Sequence, residues 1–445
     1  MHTWYEQAVF YHIYPLGLLG AEKTNTLTET AHRFTELESW IPHISDLNGS
    51  AIYIGPLFES CTHGYDTKDF RLVDRRLGSN EDFARFVRLC HENGIRVVVD
   101  GVFNHTGREF FAFQDIREKR EASPYKDWYR GVNFGWGSPL GDPFGYEAWQ
   151  GHFELPCLNL WNPEVRQYLF DSIQFWVDNF NIDGIRLDCA NVLDFGFMKE
   201  LREKTSAMKP DFWLMGEVIH GEYNRWVNPE MLHSVTNYEL HKALYSGHND
   251  HNYFEIAHNV RRLEAVGRSL YTFVDNHDED RIASKLNNLA NLFPVYQLLF
   301  TLPGIPSVYY GSEWGIEGKR SRTSDEVLRP ALNLSDMHGK APELASHIAA
   351  LGKIHTENDA FHNGSYKELL LTNRQYAFSR SGEHGTVISA VNNDEQPASI
   401  SIPLPCAASD VVSLLPGEIP FSLENGRLSV TLPANGGAIF KLQEV

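Results

Sequence analysis

The chain has 445 residues, 42% of them hydrophobic and 22% charged, which is typical of a globular protein with a large core. Its 39 basic residues against 58 acidic ones give a formal net charge of −19, which argues against nucleic acid or an anionic membrane as the main partner. The N-terminus lacks a signal-peptide pattern, and no apolar stretch approaches the roughly 18 residues of a membrane span. The five cysteines form no C-x-x-C pair, so we expect reduced thiols in a cytoplasmic protein.

Short apolar, β-branched runs alternate with helical patterns along most of the chain. The candidate strands are residues 8–14, 51–58, 95–103, 182–188, 212–218, 234–240 (the weakest), 269–275 and 305–311. One intervening helix shows the i, i+3, i+4, i+7 pattern, and a second begins at Asn162 and Pro163. Eight buried strands separated by helices predict an α/β fold, a (β/α)8 TIM barrel. A doubly wound sheet is the alternative, but no glycine-rich phosphate loop follows the first strand.

Two segments depart from this alternation and suggest further domains. Residues 105–160 are rich in glycine and aromatic residues, and we expect them to form a subdomain inserted after the third strand. Residues 361–445 contain short strands separated by turns, which predicts a C-terminal antiparallel β-sandwich domain. The barrel would then comprise residues 1–104 and 161–360.

Charged and polar side chains stand where four predicted strands end. They are Asp100, Asn104 and His105 in "DGVFNH", Arg186 and Asp188 in "GIRLD", Glu217 in "GEV", and His277 and Asp278 in "VDNHD". Any one of them could be a buried polar residue with satisfied hydrogen bonds. Because the chemistry of such barrels takes place at the C-terminal ends of the strands, their concentration there favours an active site. A pair of carboxyl groups is what glycoside hydrolysis requires, about 5–5.5 Å apart when the reaction retains configuration.

The stretches "DGVFNH", "GIRLDCANV", "GEV" and "FVDNHD" resemble, in order, the four signature regions of the alpha-amylase family of glycoside hydrolases. This resemblance implies that Asp188 is the nucleophile, Glu217 the general acid/base and Asp278 the stabiliser of the transition state. It also implies that Arg186 orients the nucleophile and that His105 and His277 bind the sugar being cleaved. Asp100 matches an acid that is usually structural, so we do not count it as catalytic.

Further stretches are similar to particular members of that family. "HGYDTKDF" resembles the segment whose tyrosine, here Tyr65, stacks under the sugar, although Tyr65 could also be a packing aromatic. "LPCLN" resembles the "MPKLN" of neopullulanases and cyclomaltodextrinases. Asp325 and Arg329 match a pair that holds the next sugar, but their spacing would equally allow a surface ion pair.

Three differences limit the resemblance to that group. The barrel pattern starts within the first ten residues, so we expect no N-terminal β-sandwich domain and either a monomer or a homodimer. Ile219 replaces a tryptophan that follows the acid/base. The loop after the first strand lacks a calcium-binding pattern, so we expect no metal and no cofactor.

The expected function is a retaining hydrolase of α-glucosidic, mainly α-1,4, bonds in maltodextrins or cyclic maltooligosaccharides, with an oligosaccharide substrate as its partner. An exo-acting α-glucosidase, an oligo-1,6-glucosidase and a transglycosylase share the same intermediate and stay open as alternatives. A non-catalytic relative is disfavoured because all three catalytic carboxylates are present.

Overall fold

Eight short parallel strands form the centre of the molecule in the computed structural model, which describes residues 3–322 and 324–444. They are β1 (Phe10–Ile13), β2 (Ala51–Ile54), β3 (Arg96–Gly101), β4 (Gly184–Leu187), β5 (Trp213–Gly216), β6 (Ser234–Val235), β7 (Tyr271–Phe273) and β8 (Ile305–Tyr309). Their order in the sheet is β6-β5-β4-β3-β2-β1-β8-β7. A parallel bridge from Thr236, just after β6, to Tyr271 of β7 closes the ring. The predicted (β/α)8 barrel is confirmed, and every strand lies inside its predicted segment.

Helices surround this barrel, and several short helices lie within the loops on its rim. The α-helices are Pro15–Leu18, Phe34–Leu37, Trp40–Asp46, Asn80–Glu92, Phe111–Lys119, Pro163–Phe180, Phe195–Met208, Tyr238–Asn249, Tyr253–Arg262, Ile282–Lys285, Leu292–Thr301, Leu334–Met337 and Pro342–Glu357. The predicted helix start at Asn162 is confirmed, because its side chain accepts a hydrogen bond from the backbone N–H of Glu164 at 2.8 Å. None of the helices in the described ranges combines the length and the apolar character needed to span a membrane.

The strand register brings the polar residues of neighbouring strands together. Side chains alternate along each strand, so Val97 and Val99 belong to the core under the helices, whereas Val98 belongs to a separate cluster inside the barrel. Asp100 shares the inward face with Val98 and pairs in register with Arg186 of β4. The charged layer therefore lies directly above the apolar filling of the barrel, at the C-terminal end of the strands.

Two irregular segments rise from the same rim. Residues 105–160 contain the helix Phe111–Lys119 and a hairpin of strands Ala148–Trp149 and His152–Pro156. A second hairpin, Phe58–Ser60 with Thr67–Val73, follows β2 and was not predicted from the sequence. Its connection carries Tyr65, so this hairpin brings a predicted sugar-stacking residue to the rim.

The C-terminal region forms two antiparallel sheets. Its strands are β9 (Ser365–Leu371), β10 (Gln375–Gly382), β11 (Gly385–Asn392), β12 (Ala398–Pro403), β13 (Ala408–Ser413), β14 (Phe421–Glu424), β15 (Arg427–Leu432) and β16 (Gly436–Glu444). One sheet has the order β9-β10-β11-β16-β13 and the other β12-β15-β14. The predicted C-terminal β-sandwich is confirmed. The predicted domain limits stay predictions.

Candidate active site

One buried arginine joins three carboxyl groups from neighbouring strands. The Arg186 side chain is 3% exposed, and its Nη1 donates to Asp100 Oδ1 at 2.9 Å and to Asp188 Oδ1 at 2.8 Å. Its Nη2 lies 3.1 Å from Glu217 Oε1. A buried charge without a partner would cost several kcal/mol, roughly 3–5 when one member of a pair is removed. The charges that interrupt β3 and β4 are therefore tolerated because they compensate one another.

The chain turns sharply immediately after Asp188. Cys189 has a left-handed backbone with φ +40° and ψ +46°, an unfavourable conformation for a residue with a side chain. This turn directs the Cys189 N–H to Glu217 Oε2 at 2.9 Å and places its Sγ 3.3 Å from Asp188 Oδ2. The two carboxyl groups are thus held by the same residue as well as by the same guanidinium. Backbone strain of this kind is concentrated at functional sites.

The surroundings give two of the carboxyl groups different proton affinities. Burial raises the pKa of Glu217 to about 7, with Asp188 and Asp278 adding to the rise and Arg186 opposing it. Burial would also raise the pKa of Asp278, but His277 and Arg329 outweigh it and hold that pKa well below its usual value. Near neutral pH, Glu217 can therefore carry a proton while Asp278 is ionised. Such a separation is the usual sign of an acid and a carboxylate with different tasks.

A second group of residues surrounds Asp278. His277 Nε2 lies 3.1 Å from Asp278 Oδ2, and Arg329 Nη2 donates to Asp278 Oδ1 at 2.7 Å. The Tyr65 hydroxyl lies 2.5 Å from His277 Nε2 and 3.2 Å from Asp100 Oδ2. The two rings stack with centroids 5.8 Å apart. Tyr65 therefore connects the Asp278 group to the Arg186 cluster.

Asp325 and Arg329 form the ion pair that their spacing allowed, at 2.8 Å. The pair is not confined to the surface, because the Arg329 side chain is 12% exposed and also donates through Nε to the His277 carbonyl at 2.9 Å. Arg329 lies over the ring of Tyr14, 4.6 Å from its centroid. Much of its hydrogen-bonding capacity is thus directed at the segment that carries Asp278.

These residues line an open cleft of about 550 Å³ at the C-terminal rim of the barrel. Seven of the nine predicted site residues line it, namely Tyr65, His105, Asp188, Glu217, Asp278, Asp325 and Arg329. The other two, Arg186 and His277, are buried directly behind them and contact them.

Several further lining residues, Trp149 and Arg320 among them, were not found by the sequence analysis. Trp149 stacks on His105 with ring centroids 6.1 Å apart, and Arg320 donates to the Asp278 carbonyl at 2.5 Å. Trp149 lies in the aromatic-rich insertion, whose composition does not distinguish it from packing aromatics. Arg320 lies in a polar loop with no motif.

One group of side chains in the described residues has the composition of a metal site. Potential ligand atoms of His105, Asp188 and Cys189 all lie within 4.8 Å of one another. The expectation that the protein requires no metal stays a prediction.

A (β/α)8 barrel with this set of carboxyl groups, one arginine and two histidines at its C-terminal rim is the arrangement of a glycoside hydrolase. The sequence profile of the alpha-amylase catalytic domain matches residues 35–347, and the chain belongs to this family.

Comparison with individual proteins agrees with this assignment. The chain is 30% identical over 470 aligned positions to a cyclomaltodextrinase of Geobacillus thermopakistaniensis, covering 99% of this chain and 78% of the relative. Among solved structures it is similar to an acarbose-soaked debranching enzyme of Nostoc punctiforme, with a TM-score of 0.85, 27% identity and 98% coverage of both chains. It is also similar to a cyclic alpha-maltosyl-(1→6)-maltose hydrolase of Arthrobacter globiformis, with a TM-score of 0.83, 25% identity and 98% coverage of both chains.

Proposed function

We propose that the protein hydrolyses α-glucosidic bonds, mainly α-1,4, in maltodextrins or cyclic maltooligosaccharides with retention of configuration. The observation that carries this proposal is the sharing of Arg186 by Asp188 and Glu217. Two carboxyl groups bound to one guanidinium are close neighbours, which suits direct attack by one of them rather than by an intervening water molecule. An inverting mechanism would need the two carboxyl groups to lie roughly 6.5–9.5 Å apart, which leaves room for a water molecule between them and the sugar.

Glu217 has the properties of the general acid. Its pKa of about 7 leaves it largely protonated in mildly acidic to neutral solution, so it can give a proton to the departing glycosidic oxygen. Asp188 then attacks the anomeric carbon and forms a glucosyl-enzyme intermediate. In the second step the ionised Glu217 takes a proton from water, and the resulting hydroxide equivalent releases the sugar from Asp188.

Asp278 and the remaining site residues bind and stabilise the sugar that lies between Glu217 and Asp188. The ionised Asp278 offers negative charge to the oxocarbenium-like transition state. Tyr65 supplies an aromatic face, and His105 and His277 supply hydrogen-bonding groups to the sugar hydroxyls. Asp325 and Arg329 would contact the neighbouring sugar while Arg329 keeps Asp278 oriented.

The relatives indicate which bonds and which chain forms the protein cleaves. The similarity to a cyclomaltodextrinase supports cyclic maltodextrins as substrates. A relative named as a hydrolase of a cyclic (1→6)-linked sugar matches this chain over 98% of both lengths, which keeps α-1,6 cleavage as a second candidate. Transfer to a sugar acceptor instead of water would use the same intermediate.

Product analysis on maltotriose, a cyclodextrin, pullulan, isomaltose and sucrose tests this proposal. Proton NMR of the first-formed product should show the α-anomer, since two inversions at the anomeric carbon restore its configuration. The β-anomer as the first product would contradict the retaining mechanism, and absence of cleavage of all five sugars would contradict the substrate class.

We also propose a cytoplasmic protein, a monomer or a homodimer. All five cysteines are free thiols, as expected in a reducing compartment. Fractionation of the native cells and light scattering of the purified protein measure these two properties.

A further inference from the structure

The cluster of His105, Asp188 and Cys189 lies at the base of the cleft, and all three residues are buried. They supply an imidazole nitrogen, a carboxylate oxygen and a thiol sulfur, which are the three kinds of atom that bind Zn²⁺ in proteins. The three come from two different rim segments, since His105 follows β3 and the other two follow β4.

A free imidazole nitrogen distinguishes this group from a chance gathering of polar residues. His105 is 1% exposed, yet its Nε2 has no hydrogen-bond partner, whereas its Nδ1 lies 3.2 Å from the Asn104 side-chain nitrogen. A buried nitrogen without a hydrogen-bond partner is uncommon and destabilises the folded protein, which indicates that a ligand binds to it.

The spacing requires only small movements. Ligand atoms of a tetrahedral zinc site lie roughly 3.3–3.8 Å apart, given zinc–ligand distances of about 2.0–2.3 Å. Cys189 Sγ and Asp188 Oδ2 are already 3.3 Å apart, and the whole set lies within 4.8 Å. Side-chain adjustments of about 1 Å would bring the imidazole into place.

The local charge also suits a cation. Asp100, Asp188 and Glu217 share the one guanidinium of Arg186, and with Glu217 protonated the other two carboxyl groups still outnumber that cation.

We propose that His105, Asp188 and Cys189 form a binding site for one thiophilic divalent cation, such as Zn²⁺ or Cd²⁺, and that this cation inhibits the enzyme. The Cys189 thiol loses its proton to the solvent as the sulfur–metal bond forms, and no electron transfer is involved. The ion then holds Asp188 and occupies the space of the sugar. Inhibition, unlike binding, rests on the proposed function, in which Asp188 is the nucleophile.

Binding of the metal is measured on the whole protein without substrate. Calorimetry with Zn²⁺ should find one site per chain, and Cd²⁺ should produce the ultraviolet absorption of a cadmium–thiolate bond. Cys189→Ser should weaken Zn²⁺ binding at least tenfold and abolish the Cd²⁺ band. Cys189→Gly is a second variant, because glycine accepts the left-handed backbone without strain. Cys406→Ser, in the C-terminal region, is the matched control and should bind both ions as the wild type does.

Inhibition is measured separately with maltotriose as the substrate. Zn²⁺ should raise the KM of the wild type without lowering kcat, and each variant is compared with its own metal-free rate. Equal Zn²⁺ affinity in the wild type and Cys189→Ser, or no Cd²⁺–thiolate band, would overturn the metal site. Inhibition that lowers kcat alone would overturn the placement of the ion in the sugar-binding space. Binding as expected in a protein that cleaves no glucan would refute the proposed function and leave the metal site intact.

Discussion

Replacing Arg186 with lysine tests whether one guanidinium organises the catalytic carboxyl groups. Lysine keeps the positive charge, but its compact ammonium cannot reproduce the fork whose two nitrogens contact Asp100, Asp188 and Glu217. At least one charge-assisted hydrogen bond is lost, worth roughly 1.5–3 kcal/mol. If that loss falls on the transition state, kcat decreases by roughly 10- to 150-fold, since about 1.4 kcal/mol corresponds to a factor of ten.

The pH dependence of the same variant gives a second, independent prediction. Glu217 acts as an acid, so wild-type activity should be present at low pH and decline as the pH rises through about 7. Because Arg186 lowers the pKa of Glu217, a weaker contact should raise that pKa further. The alkaline limb of the Arg186→Lys profile should therefore lie at higher pH than that of the wild type.

The assay is the initial rate of maltotriose hydrolysis between pH 4 and 10, with thermal melting as the control for folding. A kcat within twofold of the wild type together with an unchanged alkaline limb, in a folded protein, would refute the reasoning. Arg186→Met is not suitable, because removing the cation leaves buried carboxyl groups uncompensated at a cost of roughly 3–5 kcal/mol.

Two further variants test other contacts. Arg329→Gln should lower kcat by about tenfold by loosening Asp278, to which Arg329 donates at 2.7 Å. With maltotriose as the substrate, kcat should fall while KM stays near that of the wild type; a change in KM alone would instead indicate a role only in sugar binding. Asp183→Asn should destabilise the fold by roughly 2–3 kcal/mol at neutral pH, because the contacts of Asp183 with His91 and Lys209 lower its pKa from 3.8 to about 2 and each pKa unit corresponds to about 1.4 kcal/mol. Burial would raise the pKa of Asp183, but His91 and Lys209 lower it to about 2. The contribution of ionised Asp183 to the free energy of unfolding is therefore fully present above the ordinary pKa of 3.8 and is lost as the pH falls through about 2. Urea unfolding should show a smaller difference in free energy of unfolding between the wild type and Asp183→Asn at pH 3 than at pH 7. An equal difference at both pH values would contradict the stabilising role of ionised Asp183.

The sequence predicted the barrel because strand periodicity and helix boundaries are local signals. Asn162 is an example, since a cap and a first-turn proline specify a helix start without help from distant residues. The run 234–240 shows the limit of this approach. Only Ser234–Val235 is a strand, because Asn237 caps the helix Tyr238–Asn249 and ends the extended segment early.

The site was predictable in composition but not in its detailed contacts. The i, i+2 spacing of Arg186 in β4 and Asp188 just after it places both side chains on the same side of the chain, as the structure has them. The contact of Arg186 with Glu217 depends on strand register, which a single sequence does not specify. The left-handed turn at Cys189 was not predictable either, because tertiary contacts impose a conformation that cysteine does not favour. Trp149 reaches the cleft through an irregular insertion with no periodic pattern.

Trapping the covalent intermediate tests the central claim most directly. A Glu217→Gln variant supplied with a fluorinated glucosyl fluoride can form the intermediate, because fluoride leaves without an acid, but hydrolyses it slowly because no base activates water. Mass spectrometry of the digested protein should locate the added sugar on Asp188. A label on another residue, or none while the variant still releases fluoride from this donor, would contradict the proposed mechanism.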